Sequence, residues 1–185
     1  MHLPTFYVLQ RFAMTANRYS IQEADRVGTP GRILAVAQQK RMAFKEQVTF
    51  YEDESRARPV FAFAARKRID LNAGYDVTDE SGAQIGFFRK DFGASLMRST
   101  FHAEGPGWTG TGQERSQLVA VVRRFADIPF LPIHFDFVDP AGQPLLSVER
   151  QGSVRDRYTV HVPDPRVDFR VAAALAVGLD ALMQR

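Results

Sequence analysis

Residues 164–185 read DPRVDFRVAAALAVGLDALMQR, and the fold turns on what encloses them. Asp164 predicts an N-cap, and Pro165 the first helical position, where a missing N–H costs nothing. From Val171 to Leu179 every residue is apolar or glycine, and only Asp180 interrupts the run before Leu182 and Met183. A helix that is apolar on every side has to be enclosed by protein or by lipid. A membrane span needs about 20 apolar residues. This run is shorter, and Asp168, Arg170 and Asp180 lie within or beside it. The stretch therefore predicts a buried core helix and no transmembrane span. Residues 166–183 would reach about 27 Å, the height of a small domain.

Upstream, twelve segments read as strands: 6–12, 19–24, 32–39, 44–54, 59–69, 74–80, 84–91, 95–104, 117–125, 134–139, 144–151 and 156–163. Residues 31–45 also admit a short helix, but Leu34 and Val36 fit a strand equally well. Many segments alternate: Val48, Phe50 and Glu52 share one face, Thr49 and Tyr51 the other. Period-2 patterning broken by regular turn signals predicts an antiparallel sandwich or barrel. Asp79-Glu80-Ser81-Gly82 and Asp139-Pro140-Ala141-Gly142 share the form Asp-x-x-Gly, in which Asp caps the turn and Gly takes the positive φ. Both lie in an internal echo: YDVTDESGAQIGFF at 75–88 parallels FDFVDPAGQPLLSV at 135–148. A repeated hairpin unit points to one closed sheet, so residues 1–185 are expected to form a single domain. Residues 105–116, GPGWTGTGQERS, read as the longest irregular stretch, and 126–133, ADIPFLPI, as an apolar loop stiffened by two prolines.

A barrel of about eight strands is filled by its own side chains, and one of sixteen or more leaves a channel. Twelve strands fall between and have room for a helix, as in cans with a central helix. Closure also removes exposed sheet edges. The expected fold is mainly β: a closed twelve-stranded antiparallel barrel enclosing the C-terminal apolar helix. Ala172, Ala173, Ala174, Ala176 and Gly178 keep that helix thin. Gly178 costs about 1 kcal/mol relative to Ala in a helix, which predicts a strand side chain packed against it. With the bore occupied, any ligand belongs on the outside or at a rim.

The chain has 185 residues, 45 % of them hydrophobic, and no cysteine. That excludes a disulfide framework, a thiolate metal site and a cysteine nucleophile, and fits a reducing compartment. MHLPTFYVLQRF lacks a basic region followed by a long apolar stretch, so no signal peptide is expected. The 24 Lys and Arg exceed the 21 Asp and Glu by +3. Residues 1–70 hold 12 basic and 7 acidic side chains, net +5, and residues 71–185 hold 12 and 14, net −2. Twenty of the basic residues are Arg. Arg suits bidentate contact with phosphate or carboxylate, and an Arg-rich genome leaves the same mark.

The basic clusters are Lys40-Arg41-Lys45, Arg66-Lys67-Arg68, Arg89-Lys90 and Arg123-Arg124. Arg66, Lys67 and Arg68 end one strand, and Arg89 and Lys90 end another. If those ends meet, they form a phosphate-sized positive patch; otherwise they are solvated strand ends. Near an anionic membrane each Lys or Arg contributes about 1 kcal/mol. The basic strands carry no aromatic stacking motif and no helix is left over for duplex DNA, so no nucleic-acid partner is expected. Trp108 either dips into a membrane interface or folds back on the barrel. Its glycine-rich segment has no P-loop ending. His102-Ala-Glu104 and His134-Phe-Asp136 each place a histidine beside a carboxylate on one strand face, suited to orienting an imidazole or to cross-strand bonding. No three-ligand spacing and no nucleophile elbow is visible. The expectation is a non-enzymatic module with no metal or cofactor, a monomer or homodimer. Its alternative is a protein-interaction module with Phe87, Phe88, Phe130 and Leu131 as an apolar patch.

FYVLQRF (6–12), YDVTDESGAQIGFFRKDF (75–92) and VDFRVAAALAVGLDAL (167–182) together resemble the LURP-one-related and phospholipid-scramblase branch of the Tubby C-terminal-like fold. The V-x-D-x-x-G hairpin followed by a basic apolar strand carries most of the likeness. The resemblance implies a twelve-stranded barrel around a hydrophobic helix. It also implies contact with anionic phospholipid or phosphoinositide headgroups, and hence a cytoplasmic protein peripheral at the membrane. Scramblases carry palmitoylated cysteines and an acidic calcium-binding segment. This chain has no cysteine and only sparse terminal acids, so fold and lipid contact carry over and scrambling does not.

Overall fold

Twelve strands run as an antiparallel meander that closes on itself. They are β1 (Thr5–Phe12), β2 (Ala16–Ala24), β3 (Pro30–Lys40), β4 (Gln47–Tyr51), β5 (Pro59–Ala65), β6 (Tyr75–Asp79), β7 (Gln84–Asp91), β8 (Thr100–Gly105), β9 (Trp108–Glu114), β10 (His134–Val138), β11 (Pro144–Gln151) and β12 (Arg157–His161). Each strand pairs with its neighbours in sequence, and β12 pairs back onto β1. This computed structural model describes residues 1–12, 16–25, 28–40, 47–66, 74–91, 99–115, 134–151 and 157–183. The inward rows are mostly apolar, as alternation requires: Phe6 and Val8, Phe61 and Phe63, Phe135 and Phe137 are all at most 1 % exposed, and towards the rim Gln10 and Glu114 continue the rows of β1 and β9.

The helix α1 (Phe169–Met183) threads the bore, and its side chains from Val171 to Leu179 are fully enclosed. Fifteen residues make it about 22 Å long. A Cβ on Gly178 would lie 2.6 Å from the Phe88 ring, and one on Gly86 of β7 would lie 2.7 Å from Val171. Helix and wall interlock through these two glycines, as Gly178 predicted. The expected N-cap is one motif too early. Asp168 caps the helix, accepting the Arg170 N–H at 2.9 Å, whereas Asp164 caps the preceding turn through the Arg166 N–H at 2.8 Å. The sequence repeats Asp-x-Arg-Val at 164–167 and 168–171. Each Asp also holds its own arginine, and Pro165 serves the turn rather than the helix.

Eleven of the twelve expected strands recur, nine with shifted ends and two, 84–91 and 144–151, with the ends expected, and 31–40 falls in β3 rather than a helix. One strand was not expected: β9 lies within the stretch read as irregular and pairs with both β8 and β10. Its Gly110 and Gly112 lowered its strand signal. They face inward, where a Cβ would run into Leu145 and Phe137. Gly in a strand here marks close packing. The expected strand at 117–125 and the loop at 126–133 lie outside the described residues.

Connections alternate between the two ends of a meander. At one, the turn end, Asp25, Asp53, Asp79 and Asp139 accept N–H groups of Thr29, Ser55, Ser81 and Ala141 at 2.7–2.9 Å. The echoed hairpins are alike in detail. Gly82 and Gly142 have φ of +85° and +77°, and both hairpins shift register just before the turn. Gly28, φ +75°, makes a third copy with Asp25. Arg56 fills the glycine position of a fourth, at φ +56°. The opposite end is the rim.

Candidate functional site

The rim collects the basic strand ends. Alternation in β1 and β2 puts Val8 and Ile21 in the core and turns Arg11 and Arg18 outward, where they are cross-strand partners. Both are exposed, and neither has an ion-pair partner among the described residues. Like charges directly opposite destabilise a sheet, so an anion bound between them removes a penalty. On the adjacent strand β12, Arg157 lies 5.2 Å from the Tyr7 ring centroid. The sequence reading missed this group because each of its arginines stands alone in its own strand. The period-2 placement of Arg11 and Arg18 was the available signal.

Arg66 and Arg89 approach each other across Gly74. The Arg66 N–H donates to the Gly74 carbonyl at 3.1 Å, and a Cβ on Gly74 would lie 2.8 Å from the Arg89 Cβ. Arg66 is already committed. It donates to Asp76 at 2.7 and 2.8 Å and lies 4.0 Å over the Phe87 ring. The Asp76 hydrogen bond raises its pKa further. Arg89 is exposed and has no ion pair among the described residues. Lys90 faces the opposite side of the wall, with its Nζ 5.9 Å from the inward Phe101 ring. The expected single patch is therefore divided. Arg66 and Arg89 lie outside the barrel, Lys90 at its inner edge, and Lys67 and Arg68 outside the described residues. The side chains of Lys40, Arg41 and Lys45, and Arg123 and Arg124, also lie outside them. Arg115 is neutralised by Asp136 and Glu149 at 2.6 and 3.0 Å, and its hydrogen bond holds the Asp136 carboxyl below its usual range.

Inside the rim, Asp180 accepts the hydroxyls of Tyr19, at 2.9 Å, and of Tyr158. Burial, then the Asp180 charge, pushes the Tyr19 hydroxyl far above its ordinary pKa. This latch fixes the last turn of α1.

Several expected site residues fall elsewhere. Trp108 is 4 % exposed at the start of β9, with its indole over Gly105. It packs back on the barrel, and an enclosed ring offers no surface to a membrane. Phe87 and Phe88, 8 % and 0 % exposed, form no apolar patch. Phe87 is roofed by Arg66, and Phe88 fills the core at Gly178. Phe130 and Leu131 lie outside the described residues. His2, His102 and His161 make cross-strand and local bonds, whereas the Nδ1 of His134 is buried without a hydrogen-bond partner among the described residues. His102 lies 3.2 Å from Asp91 and 3.1 Å from Thr111, and His161 3.2 Å from Thr5. Among the described residues no cluster of three His, Asp or Glu could hold a metal.

Charge divides along the barrel axis rather than along the sequence. Among the described residues the rim carries Arg11, Arg18, Arg66, Arg89, Lys90, Arg115, Arg150 and Arg157 against six carboxylates: Asp76, Asp91, Glu114, Asp136, Glu149 and Asp180. The turn end carries five arginines, Arg32, Arg56, Arg58, Arg166 and Arg170. Against them stand eleven carboxylates, Glu23, Asp25, Glu52, Asp53, Glu54, Asp79, Glu80, Glu104, Asp139, Asp164 and Asp168.

No helix among the described residues is long and apolar enough to cross a membrane. The family model of the LURP-one-related proteins matches residues 34–180. No curated protein and no solved structure matches the chain.

Proposed function

The chain belongs to the LURP-one-related family, and from that premise we propose that it is a non-enzymatic module whose basic rim binds anionic phospholipid headgroups at a membrane surface. The observation that carries this reading is the charge division along the axis, basic at the rim and acidic at the turn end. Arg11, Arg18 and Arg89 offer guanidinium forks that suit phosphate oxygens. Arg66 and Arg115, held by Asp76 and by Asp136 with Glu149, lend structure more than free charge. A dipolar body near an anionic surface is steered rim first, because the acidic turn end is repelled. The likeness of the hairpin and helix to scramblases points to the same ligand class, and such a protein works in the cytoplasm, peripheral at the membrane.

Vesicle flotation tests the reading. Neutral phosphatidylcholine vesicles are compared with vesicles containing phosphatidylserine or a phosphoinositide, at low and physiological salt. Binding is expected only to the anionic vesicles and weakens with salt. Joint Arg11→Glu, Arg18→Glu and Arg89→Glu substitution abolishes it, while Arg32→Glu at the turn end leaves it unchanged. Absence of binding to anionic vesicles at low salt overturns the proposal.

A further inference from the structure

The outer wall carries a recess of about 420 Å³ across β7, β8, β9 and the start of the β10–β11 turn. Strand register lays it out in two rungs. The rung nearer the rim runs Arg89, His102, Thr111, Val138; the next runs Phe87, Glu104, Thr109. The short threonines of β9, between His102 and Glu104 on one side and Val138 to Pro140 on the other, leave the space.

Two of its lining groups stand out. Arg89 makes no ion pair among the described residues, and Glu104 accepts no hydrogen bond there; Arg66 acts on Glu104 only through space. They are opposite charges at diagonal cross-strand positions, about 7–8 Å apart at Cα, on long side chains, yet they do not pair. The histidine and the second carboxylate of the recess are already engaged. His102 is held by Asp91 and Thr111. Asp139 serves its own turn and lies 3.7 Å from Arg166.

We propose that this recess binds a zwitterion with a phosphate ester at one end and a primary ammonium at the other, the chemistry of phosphoethanolamine. Arg89 takes the phosphate oxygens, and Glu104 with the Thr109 hydroxyl takes the ammonium. An α-amino acid holds its two charges one carbon apart, too short for the span between the rungs. A quaternary ammonium calls for open aromatic faces, and the Phe87 face is covered by Arg66. An added carboxylate, as in phosphoserine, would meet Glu104 and Asp139. The same chemistry occurs in a free phosphate ester and in a phosphatidylethanolamine headgroup. The recess differs from rim binding, which needs only net negative charge.

Calorimetric titration with O-phosphoethanolamine, phosphocholine and inorganic phosphate tests the proposal. Phosphoethanolamine is expected to bind at least about tenfold more tightly than either comparator, a difference of about 1.4 kcal/mol. Arg89→Gln loses binding of all three. Glu104→Gln keeps phosphate binding and erases the preference for ethanolamine over choline. Both side chains are exposed, so unchanged melting confirms that the variants fold. Flotation with phosphatidylcholine vesicles, with and without phosphatidylethanolamine at physiological salt, separates the sources. Recruitment by phosphatidylethanolamine that Glu104→Gln abolishes supports the lipid source; titration binding without recruitment supports the free ester. Equal affinity for phosphocholine, an unaffected Glu104→Gln variant, or no binding of phosphoethanolamine overturns the proposal. Arg89 serves both readings, so Glu104 separates them: Glu104→Gln leaves flotation with anionic vesicles intact, and loss of the ethanolamine preference does not touch the rim proposal.

Discussion

The two ends of the barrel are made by the same twelve strands and differ in what their charged residues are for. At the turn end, carboxylates do conformational work. Asp53, Asp79 and Asp164 each accept hydrogen bonds from a residue two positions on, and those bonds hold their carboxyls below the usual range. Acidity there is a by-product of making tight turns. At the rim, Arg11, Arg18 and Arg89 perform no such task, and two of them face each other across a strand pair. Charge that folding does not require, and that costs stability where it stands, is the charge on which the proposed headgroup binding draws. The contrast also shows why net charge along the sequence misleads: a meander sends every second connection to the same end, so segments far apart in sequence pool their charge.

The largest expected effect comes from severing what joins the ends. Leu175 is fully buried in the middle of α1. Leu175→Asp places a charge in the bore with no partner, a penalty of several kcal/mol on a stability of about 5–15 kcal/mol. Loss of the cooperative melting transition is expected, with amide protection disappearing at both ends together. Protection surviving at the turn end alone would show that the hairpins hold without the helix.

Gly178→Ala strains the same joint more gently. Alanine improves helix propensity by about 1 kcal/mol, but its methyl would lie 2.6 Å from the Phe88 ring. Overpacking costs about 1–3 kcal/mol, so a lowered denaturation midpoint is expected. Phe88→Leu should recover part of the loss in the Gly178→Ala background while destabilising the otherwise unaltered chain. Additive losses in the double variant would break the pairing of ring and glycine.

How far the fold was legible follows from these residues. The terminal helix announced its own burial, and its glycine announced a close neighbour. The Asp-x-x-Gly turns were legible because one side chain satisfies the turn by itself. β9 was not, because Gly110 and Gly112 are explained only by Phe137 and Leu145, which arrive from other strands. The helix start was ambiguous because one motif occurs twice in succession. The site was legible in part. Clusters such as Arg66-Lys67-Arg68 can be seen in sequence, but alternation sends Arg89 and Lys90 to opposite faces. The Arg11–Arg18 pair and the outer recess exist only through register.

The ends also differ in the pH at which they fail. Asp53, Asp79 and Asp164 have depressed pKa values in the folded protein, so their contribution is present above about pH 4 and is lost as pH falls through the folded values. Tyr19 is the reverse case. Its folded pKa is raised, so its contribution is intact below about pH 10 and is lost as pH rises, because only the unfolded chain then releases the proton. Stability should decline at about 1.4 kcal/mol per pH unit above pH 10 on account of this one group. Denaturant melts across pH check both limbs. Tyr19→Phe should flatten the alkaline limb and leave the acid limb unchanged, and an alkaline limb unaltered by Tyr19→Phe would place that sensitivity outside the rim latch.

The smallest effect tests whether the turns of the acidic end are copies of one device. Gly82 and Arg56 occupy equivalent positions, at φ +85° and +56°. A Cβ on Gly82 meets nothing within 4 Å, so Gly82→Ala adds backbone strain without a clash. The left-handed conformation costs an L-residue about 1–2 kcal/mol. Alanine recovers about 0.4–1 kcal/mol by restricting the unfolded chain, which leaves a net loss of about 1 kcal/mol. Arg56→Gly runs the exchange backwards. It relieves the strain, widens the unfolded ensemble, and gives up an exposed hydrogen bond to Gln38, for a net change between zero and about 1 kcal/mol of stabilisation. Paired denaturant melts should therefore give shifts of opposite sign. A destabilised Arg56→Gly variant would mean that the Gln38 bond holds the β4–β5 turn where glycine holds the others.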